Sequence, residues 1–172
     1  MDTLTPSRSK LSVGPVTRGH VQANGITIAY ESYGAGDRET VLLIMGINAQ
    51  LTAWPIELIE ALVRRGYRVL VYDHRDVGLS TYLDDAGMPD WEGIAAAKAE
   101  GRPAPVAYTL VDMAQDAVCL LDALGIGAAH VVGASMGGYI AQLIAADHPE
   151  HALSLTSIMS DRAWGTIARS RS

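Results

Sequence analysis

Residues 130–140 read HVVGASMGGYI, an apolar run followed by a glycine-rich turn and the start of a helical pattern. The turn contains one Gly-x-Ser-x-Gly, from Gly133 to Gly137, which such a composition produces by accident in roughly one chain in ten. Its position between a strand and a helix gives the pattern its weight. A serine hydroxyl on a sharp turn needs neighbours that are almost without side chains, and Gly133 and Gly137 meet that need. Ser135 is therefore predicted to be an exposed nucleophile, with a buried serine in a glycine-rich turn as the alternative.

Two backbone N–H groups are candidates for holding a negative charge beside this serine. Met136 begins the predicted helix, where its N–H has no helical acceptor and the helix dipole favours an anion. Ile47 follows an apolar strand and the turn residue Gly46. In a parallel sheet that loop would lie next to the serine turn, and two N–H donors would form an oxyanion hole. An ordinary strand-to-helix turn at Gly46 is the alternative.

The remaining chain alternates strand and helix patterns, which predicts an α/β fold with a mostly parallel sheet. Asn24-Gly25 is the strongest two-residue hairpin signal, so the chain is expected to open with an antiparallel pair. Two later runs are too apolar for one exposed face, as expected for strands covered by helices on both sides. Six strands are predicted, at residues 20–23, 26–33, 41–45, 68–72, 129–132 and 153–159. Flanking helices are predicted at residues 55–65, 91–100, 109–125 and 136–147.

Three regions follow from this pattern. Residues 1–19 are mixed in polarity and are predicted to be a flexible leader, without the apolar stretch of a signal peptide. Residues 20–160 form the predicted α/β core, within which the polar segment 81–107 either shapes a pocket or is a solvated insertion. Residues 161–172 are an atypical tail.

Composition excludes several classes of protein. With 49% hydrophobic and 19% charged residues and a mean hydropathy of +0.15, the chain is predicted to be globular. The net charge of −6 and the scattered basic residues argue against nucleic acid. No apolar run approaches the ~18 residues of a membrane span. The single cysteine, Cys119, does not require an oxidising compartment, so a cytoplasmic protein without cofactor or metal is expected.

Three motifs, in this order, resemble the α/β-hydrolase superfamily. They are LLIMG at residues 42–46, YDHRDVGLST at residues 72–81 and VVGASMG at residues 131–137. The resemblance extends over about residues 21–160 and is nearest to the aclacinomycin methylesterase-like esterases. It implies a truncated α/β-hydrolase fold, with Ser135 as nucleophile and the N–H groups of Ile47 and Met136 as oxyanion donors.

The chain departs from that family in its catalytic triad, because the acid and the histidine normally follow the seventh and eighth strands. No histidine replaces the missing one by position. His130 is predicted ~16 Å from Ser135 along a strand, and His148 and His151 ~18 Å away along a helix. His74 ends the fourth strand and is interpreted as a turn residue near a possible Arg75–Asp76 pair, with a role as base the weaker alternative. Asp161 is interpreted as an exposed tail residue, with a catalytic acid as the weaker alternative.

These observations lead to two hypotheses and one predicted partner. The first is a serine hydrolase of the carboxylesterase type that acts on a small-molecule ester. The second is a non-catalytic hydrolase-fold remnant that binds a ligand or partner; a nucleotide-binding domain is weaker, since Gly133 to Gly138 contain neither Gly-x-Gly-x-x-Gly nor a P-loop lysine. Because the sixth strand would leave an open sheet edge, a homodimer through that edge is predicted.

Overall fold

A computed structural model describes residues 15–35 and 38–161. In these residues the strands are β1 (Val16–Ala23), β2 (Ile26–Tyr33), β3 (Thr40–Ile44), β4 (Arg68–Tyr72), β5 (Ala129–Ala134) and β6 (Ala152–Ile158). The α-helices are α1 (Ile56–Val63), α2 (Trp91–Ala99), α3 (Leu110–Ala123) and α4 (Met136–Asp147). Short 3₁₀ turns cover Leu51–Ala53, Asp84–Ala86 and Pro149–His151.

The strands form one six-stranded sheet in the order β1-β2-β4-β3-β5-β6. β1 and β2 are antiparallel, β2 is antiparallel to β4, and β4, β3, β5 and β6 run parallel to one another. The predicted α/β class and mostly parallel sheet are therefore confirmed. Since β3 and β5 are adjacent and parallel, the loops that follow them leave side by side from the carboxyl ends of the strands.

The N-terminal hairpin is turned by Asn24 and Gly25, both with positive φ (49° and 77°). This is the conformation that a two-residue type I′ turn requires. β1 begins at Val16, four residues before the predicted start, and Val16 pairs with Tyr33. Part of the predicted 1–19 leader is thus strand, while residues 1–14 lie outside the described residues.

Apolar side chains fill both sides of the central strands. All five residues of β3 and the last four of β4 are buried. Leu42, Ile44, Leu70 and Tyr72 pack toward α3 and α4, whereas Val41, Leu43, Val69 and Val71 pack with Leu51, Trp54 and Ile59 on the other face. Burial of each of these aliphatic side chains stabilises the folded state by about 1.5–3 kcal/mol. The uninterrupted apolar runs therefore correspond to strands covered on both faces, as predicted.

The two outer regions of the fold are more open to solvent. β6 pairs with β5, and six of its seven residues are exposed, including Leu153, Leu155 and Ile158. Segment 81–107 contains α2, and Met88 and Trp91 within it are largely exposed. Within residues 15–35 and 38–161, no helix has the length and apolarity needed to cross a membrane. Residues 162–172, most of the predicted tail, lie outside the described part of the chain.

Candidate active site

Ser135 occupies a strained turn between β5 and α4. Its backbone has φ 53° and ψ −122°, a conformation that a non-glycine residue adopts at a cost of about 1–3 kcal/mol. Three hydrogen bonds hold the turn: Ser135 N–H donates to Ile158 O (2.8 Å), while Ser135 O accepts from Gly138 N–H (2.8 Å) and from Ser160 Oγ (2.6 Å). The side chain is exposed to solvent. The backbone is thus fixed while the hydroxyl projects outward.

The glycines around the serine fill positions where a side chain does not fit. A Cβ on Gly133 would overlap the carbonyl oxygen of Gly137, and a Cβ on Gly137 would overlap the carbonyl oxygen of Ile44. A Cβ on Gly46 would lie 3.1 Å from Cβ of Ser135. The backbone between β5 and α4 therefore packs directly against the loop after β3, as close approach of glycine backbones allows. The sequence placed Gly46 in a turn, and the structure adds its contact with Ser135.

The two predicted oxyanion donors lie at one cavity of about 360 Å³. Ile47 and Met136 both line it, together with Asn48, His74 and Tyr108. In the described residues, neither the Ile47 N–H nor the Met136 N–H donates a hydrogen bond to a protein acceptor. Ile47 as a whole is 69% exposed. The structure thus brings these two residues together across a sequence separation that spans most of the core.

His74 lines the same cavity, but its side chain is used by the protein. The residue is 2% exposed, and its Nε2–H donates to Met45 O at 2.9 Å. Burial lowers the pKa of His74, because the imidazolium loses hydration there. This bond connects the end of β4 to the end of β3. The geometry favours the interpretation of His74 as a turn residue that positions the Met45–Gly46 loop.

The other histidines are placed away from the serine. His20 is exposed on β1, at the opposite edge of the sheet. His130 bonds Ser154 Oγ through Nδ1 (2.8 Å), and His151 bonds Asp122 through Nε2 (3.0 Å). His148 precedes His151 beyond the C-terminal end of α4. Among the described residues, the hydroxyl of Ser135 has no imidazole partner, as the positions in the sequence predicted.

Arg75 forms a different ion pair from the predicted one. Its Nε and Nη2 bind the two carboxylate oxygens of Asp116 at 2.7 and 2.6 Å, and both side chains are buried. Asp76 instead accepts a hydrogen bond from the Leu83 N–H at 2.6 Å. The Arg75–Asp76 pair is therefore wrong, because adjacent residues in this turn point in different directions while α3 presents Asp116 to the guanidinium. The Arg75–Asp116 ion pair joins the loop after β4 to α3.

Segment 81–107 borders a second cavity, of about 550 Å³. Leu83, Met88, Trp91 and Ile94 line it on the segment's side. Tyr108 lines both cavities, and its pKa is raised to about 12, first by burial and then by its hydrogen bond to Asp76. Segment 81–107 therefore lines a cavity that shares Tyr108 with the one lined by Ile47 and Met136.

The geometry agrees with comparisons to known proteins. A family model described as alpha/beta hydrolase fold matches residues 39–171. The chain belongs to the α/β hydrolase family. This α/β hydrolase is 37% identical over 134 residues to rhodomycin D methylesterase of Streptomyces peucetius, which confirms the predicted resemblance to methylesterases of the family. It is 33% identical over 135 residues to a putative carbamate hydrolase of Variovorax paradoxus.

Solved structures show the same fold. A membrane phospholipase A superposes on this α/β hydrolase with a TM-score of 0.66, at 29% identity and over 85% of the chain. Epoxide hydrolase A of Mycobacterium thermoresistibile superposes with a TM-score of 0.64 at 23% identity, over 83% of the chain. The chain spans 39% of the length of the methylesterase and 42% of that of the putative carbamate hydrolase.

Proposed function

We propose that this chain is a serine hydrolase of the carboxylesterase type that acts on a small ester. The observation that carries the proposal is the exposed hydroxyl of Ser135 on a positive-φ turn, beside a cavity lined by Ile47 and Met136. In the proposed reaction Ser135 Oγ bonds to the ester carbonyl carbon, the ester C–O bond breaks, and the alcohol leaves with the proton of the serine hydroxyl. Water then hydrolyses the acyl-serine, which releases the acid and restores the hydroxyl. The N–H groups of Ile47 and Met136 hold the oxyanion that forms. No metal or cofactor takes part in this proposal.

The names of two relatives support attack at an acyl carbon. One is a methylesterase and the other a putative carbamate hydrolase. In both reactions the carbonyl carbon carries an oxygen or nitrogen leaving group, which an oxyanion hole suits. Because the chain spans less than half of each relative, its substrate is proposed only as a class, a small ester.

The expected rate is low, because no imidazole contacts Ser135 in the described residues. In a serine protease, loss of the triad histidine costs about 10⁶ in turnover and leaves ~10³–10⁴ over water from the oxyanion hole and binding. The proposal therefore predicts slow hydrolysis that depends on Ser135.

The test is release of p-nitrophenol from p-nitrophenyl acetate by the full chain and by Ser135→Ala. We expect the wild type to exceed Ser135→Ala by ~10-fold or more, since only the wild type can form the acyl-enzyme. Ser154→Ala is the matched control: its hydroxyl bonds His130, far from the cavity. Mass spectrometry should find the acetyl group on the peptide that contains Ser135.

Equal rates for wild type and Ser135→Ala would instead support the second candidate function, a non-catalytic hydrolase-fold module that binds a ligand or partner. The favouring observation is the lack of an imidazole next to Ser135 among the described residues.

A further inference from the structure

The segment after α4 brings three metal-ligating side chains together in four residues. His148, Glu150 and His151 each offer one ligand atom, and these atoms all lie within 4.8 Å of one another. Glu150 Oε1 is 3.9 Å from His148 Nδ1 and 3.3 Å from His151 Nδ1. Ligands ~2.0–2.2 Å from a tetrahedral ion are ~3.3–3.6 Å apart, so the spacing of Glu150 and His151 fits a shared ion and a small side-chain movement would bring His148 to it.

The carboxylate of Asp122 orients the ring of His151. Its Nε2 lies 3.0 Å from Asp122 Oδ1, near the C-terminal end of α3. Both ring nitrogens lie within hydrogen-bond reach of a carboxylate, Nδ1 3.3 Å from Glu150 and Nε2 3.0 Å from Asp122. In the neutral tautomer that donates Nε2–H to Asp122, Nδ1 keeps a lone pair that can bind a cation next to the Glu150 carboxylate. A carboxylate behind a ligating histidine is the arrangement that orients metal-bound imidazoles.

The backbone holds the three side chains in place. His148 N–H donates to Ile144 O (2.8 Å), and His151 N–H donates to His148 O (2.9 Å). Pro149 starts the intervening 3₁₀ turn. The side chains of His148 and His151 are 25% and 15% exposed, while that of Glu150 is 64% exposed. The ligand set is thus anchored on the protein side and open to solvent on the other.

We propose that His148, Glu150 and His151 bind one divalent transition-metal ion of the Zn²⁺ class, with Asp122 hydrogen-bonded behind His151. Two imidazole nitrogens and one carboxylate suit Zn²⁺, Co²⁺ or Ni²⁺, whereas Mg²⁺ and Ca²⁺ favour oxygen ligands. Glu150 and Asp122 together balance the charge of the ion. Water from the open side completes the coordination.

The ion would brace the 3₁₀ turn, which the His151–Asp122 hydrogen bond connects to α3, and would not take part in the hydrolase chemistry. The twelve-residue helix α4 separates this cluster from Ser135 by ~18 Å. The expected effect is on stability, since an ion that binds the folded chain raises Tm. This inference is independent of the proposed esterase function.

The test uses the full chain, stripped with chelator, and titrated with ZnCl₂ by isothermal calorimetry and by thermal denaturation. We expect one ion per chain and a Tm rise of about 5–10 °C at 100 times Kd. Glu150→Gln keeps the exposed side chain's shape and should weaken binding strongly, as should His151→Ala. Asp122→Asn, which leaves the ligands in place, should weaken it ~10–100-fold.

Two control variants distinguish binding at this site from nonspecific Zn²⁺ binding elsewhere on the surface. His20→Ala removes an exposed histidine on β1, and Ser135→Ala alters the candidate active site; both should bind Zn²⁺ as the wild type does. Added Co²⁺ should give visible d–d absorption that is lost in His148→Ala. Saturable binding that is unchanged in Glu150→Gln and His151→Ala, or no saturable binding by the folded wild type, would overturn the proposal.

Discussion

Glycines around Ser135 allow the backbone segments to pack closely, and a larger residue in their place would clash with that backbone. In Gly133→Ala the new methyl group would overlap the Gly137 carbonyl at the start of α4. Backbone cannot yield as a flexible side chain does, so we expect a loss of about 1–3 kcal/mol or more in the free energy of unfolding. Urea denaturation measures it.

Gly127→Ala is the control, because a Cβ there meets nothing within 4 Å. Its free energy of unfolding should stay within about 0.5 kcal/mol of the wild type. If the two variants were equally stable, the tight contact between β5 and α4 would be absent in solution.

Contacts between residues close together in the chain could be predicted from the sequence, whereas contacts between distant residues could not. The turn at Ser135 could be placed between a strand and a helix from its neighbours in the chain, and it lies between β5 and α4. The partner of Arg75 is 41 residues away on α3, so no local pattern pointed to Asp116. His74 was assigned to a turn from its position, but its bond to Met45 depends on β3 and β4 being adjacent.

Among the helices, α3 shows how a local signal fixes an element. Thr109 and Asp112 have the sequence spacing that predicts a capping box. The box is present: Asp112 accepts from the Thr109 N–H at 2.7 Å, and Thr109 Oγ1 accepts from the Val111 N–H at 3.2 Å. By contrast, β1 begins earlier than predicted. Thr17 and Arg18 are exposed and none of residues 16–19 is buried, so the sequence has no apolar pattern there to mark a strand. Its extension is dictated by pairing with β2, a contact that composition does not show.

The capping box gives a pH-dependent prediction. The hydrogen bond from the Thr109 backbone is the main cause that lowers the pKa of Asp112 below its ordinary value of 3.8. A lowered pKa in the folded chain means that Asp112 stabilises the protein above pH 3.8 and that this contribution is lost as pH falls through the folded pKa. Asp112→Ala should cost about 0.5–2 kcal/mol at pH 7.

The measurement is urea denaturation at several pH values. The difference between wild type and Asp112→Ala should shrink on acidification below about pH 4. Val111→Ala, at an exposed position in the same turn, should show no such trend. A difference that stayed constant down to pH 2 would contradict the role of the carboxylate.

In the whole chain, β6 forms one unpaired edge of the described sheet, and its residues Leu153, Leu155 and Ile158 are exposed. Unpaired strand edges bind other strands, and a two-fold axis would let two copies cover each other. We therefore predict a homodimer in sedimentation velocity at micromolar concentration. Leu155→Lys should shift it toward monomer, because a charge would be buried in the interface.

Leu58→Lys provides the comparison, since Leu58 is similarly exposed on α1, away from β6. It should sediment as the wild type does. A wild-type chain that sediments as a clean monomer would contradict the predicted dimer.

The interleaved strand order also affects how the protein is made. β3 has β4 on one side and β5 on the other, yet β5 emerges only after residues 45–128 have been translated. At 5–20 residues per second this takes roughly 4–17 s, during which one flank of a strand that is fully buried in the folded protein has no native neighbour. The nascent chain is therefore exposed to misassociation on the ribosome until β5 arrives, so the strand that covers the free flank of β3 is also the strand that leads into the Ser135 turn.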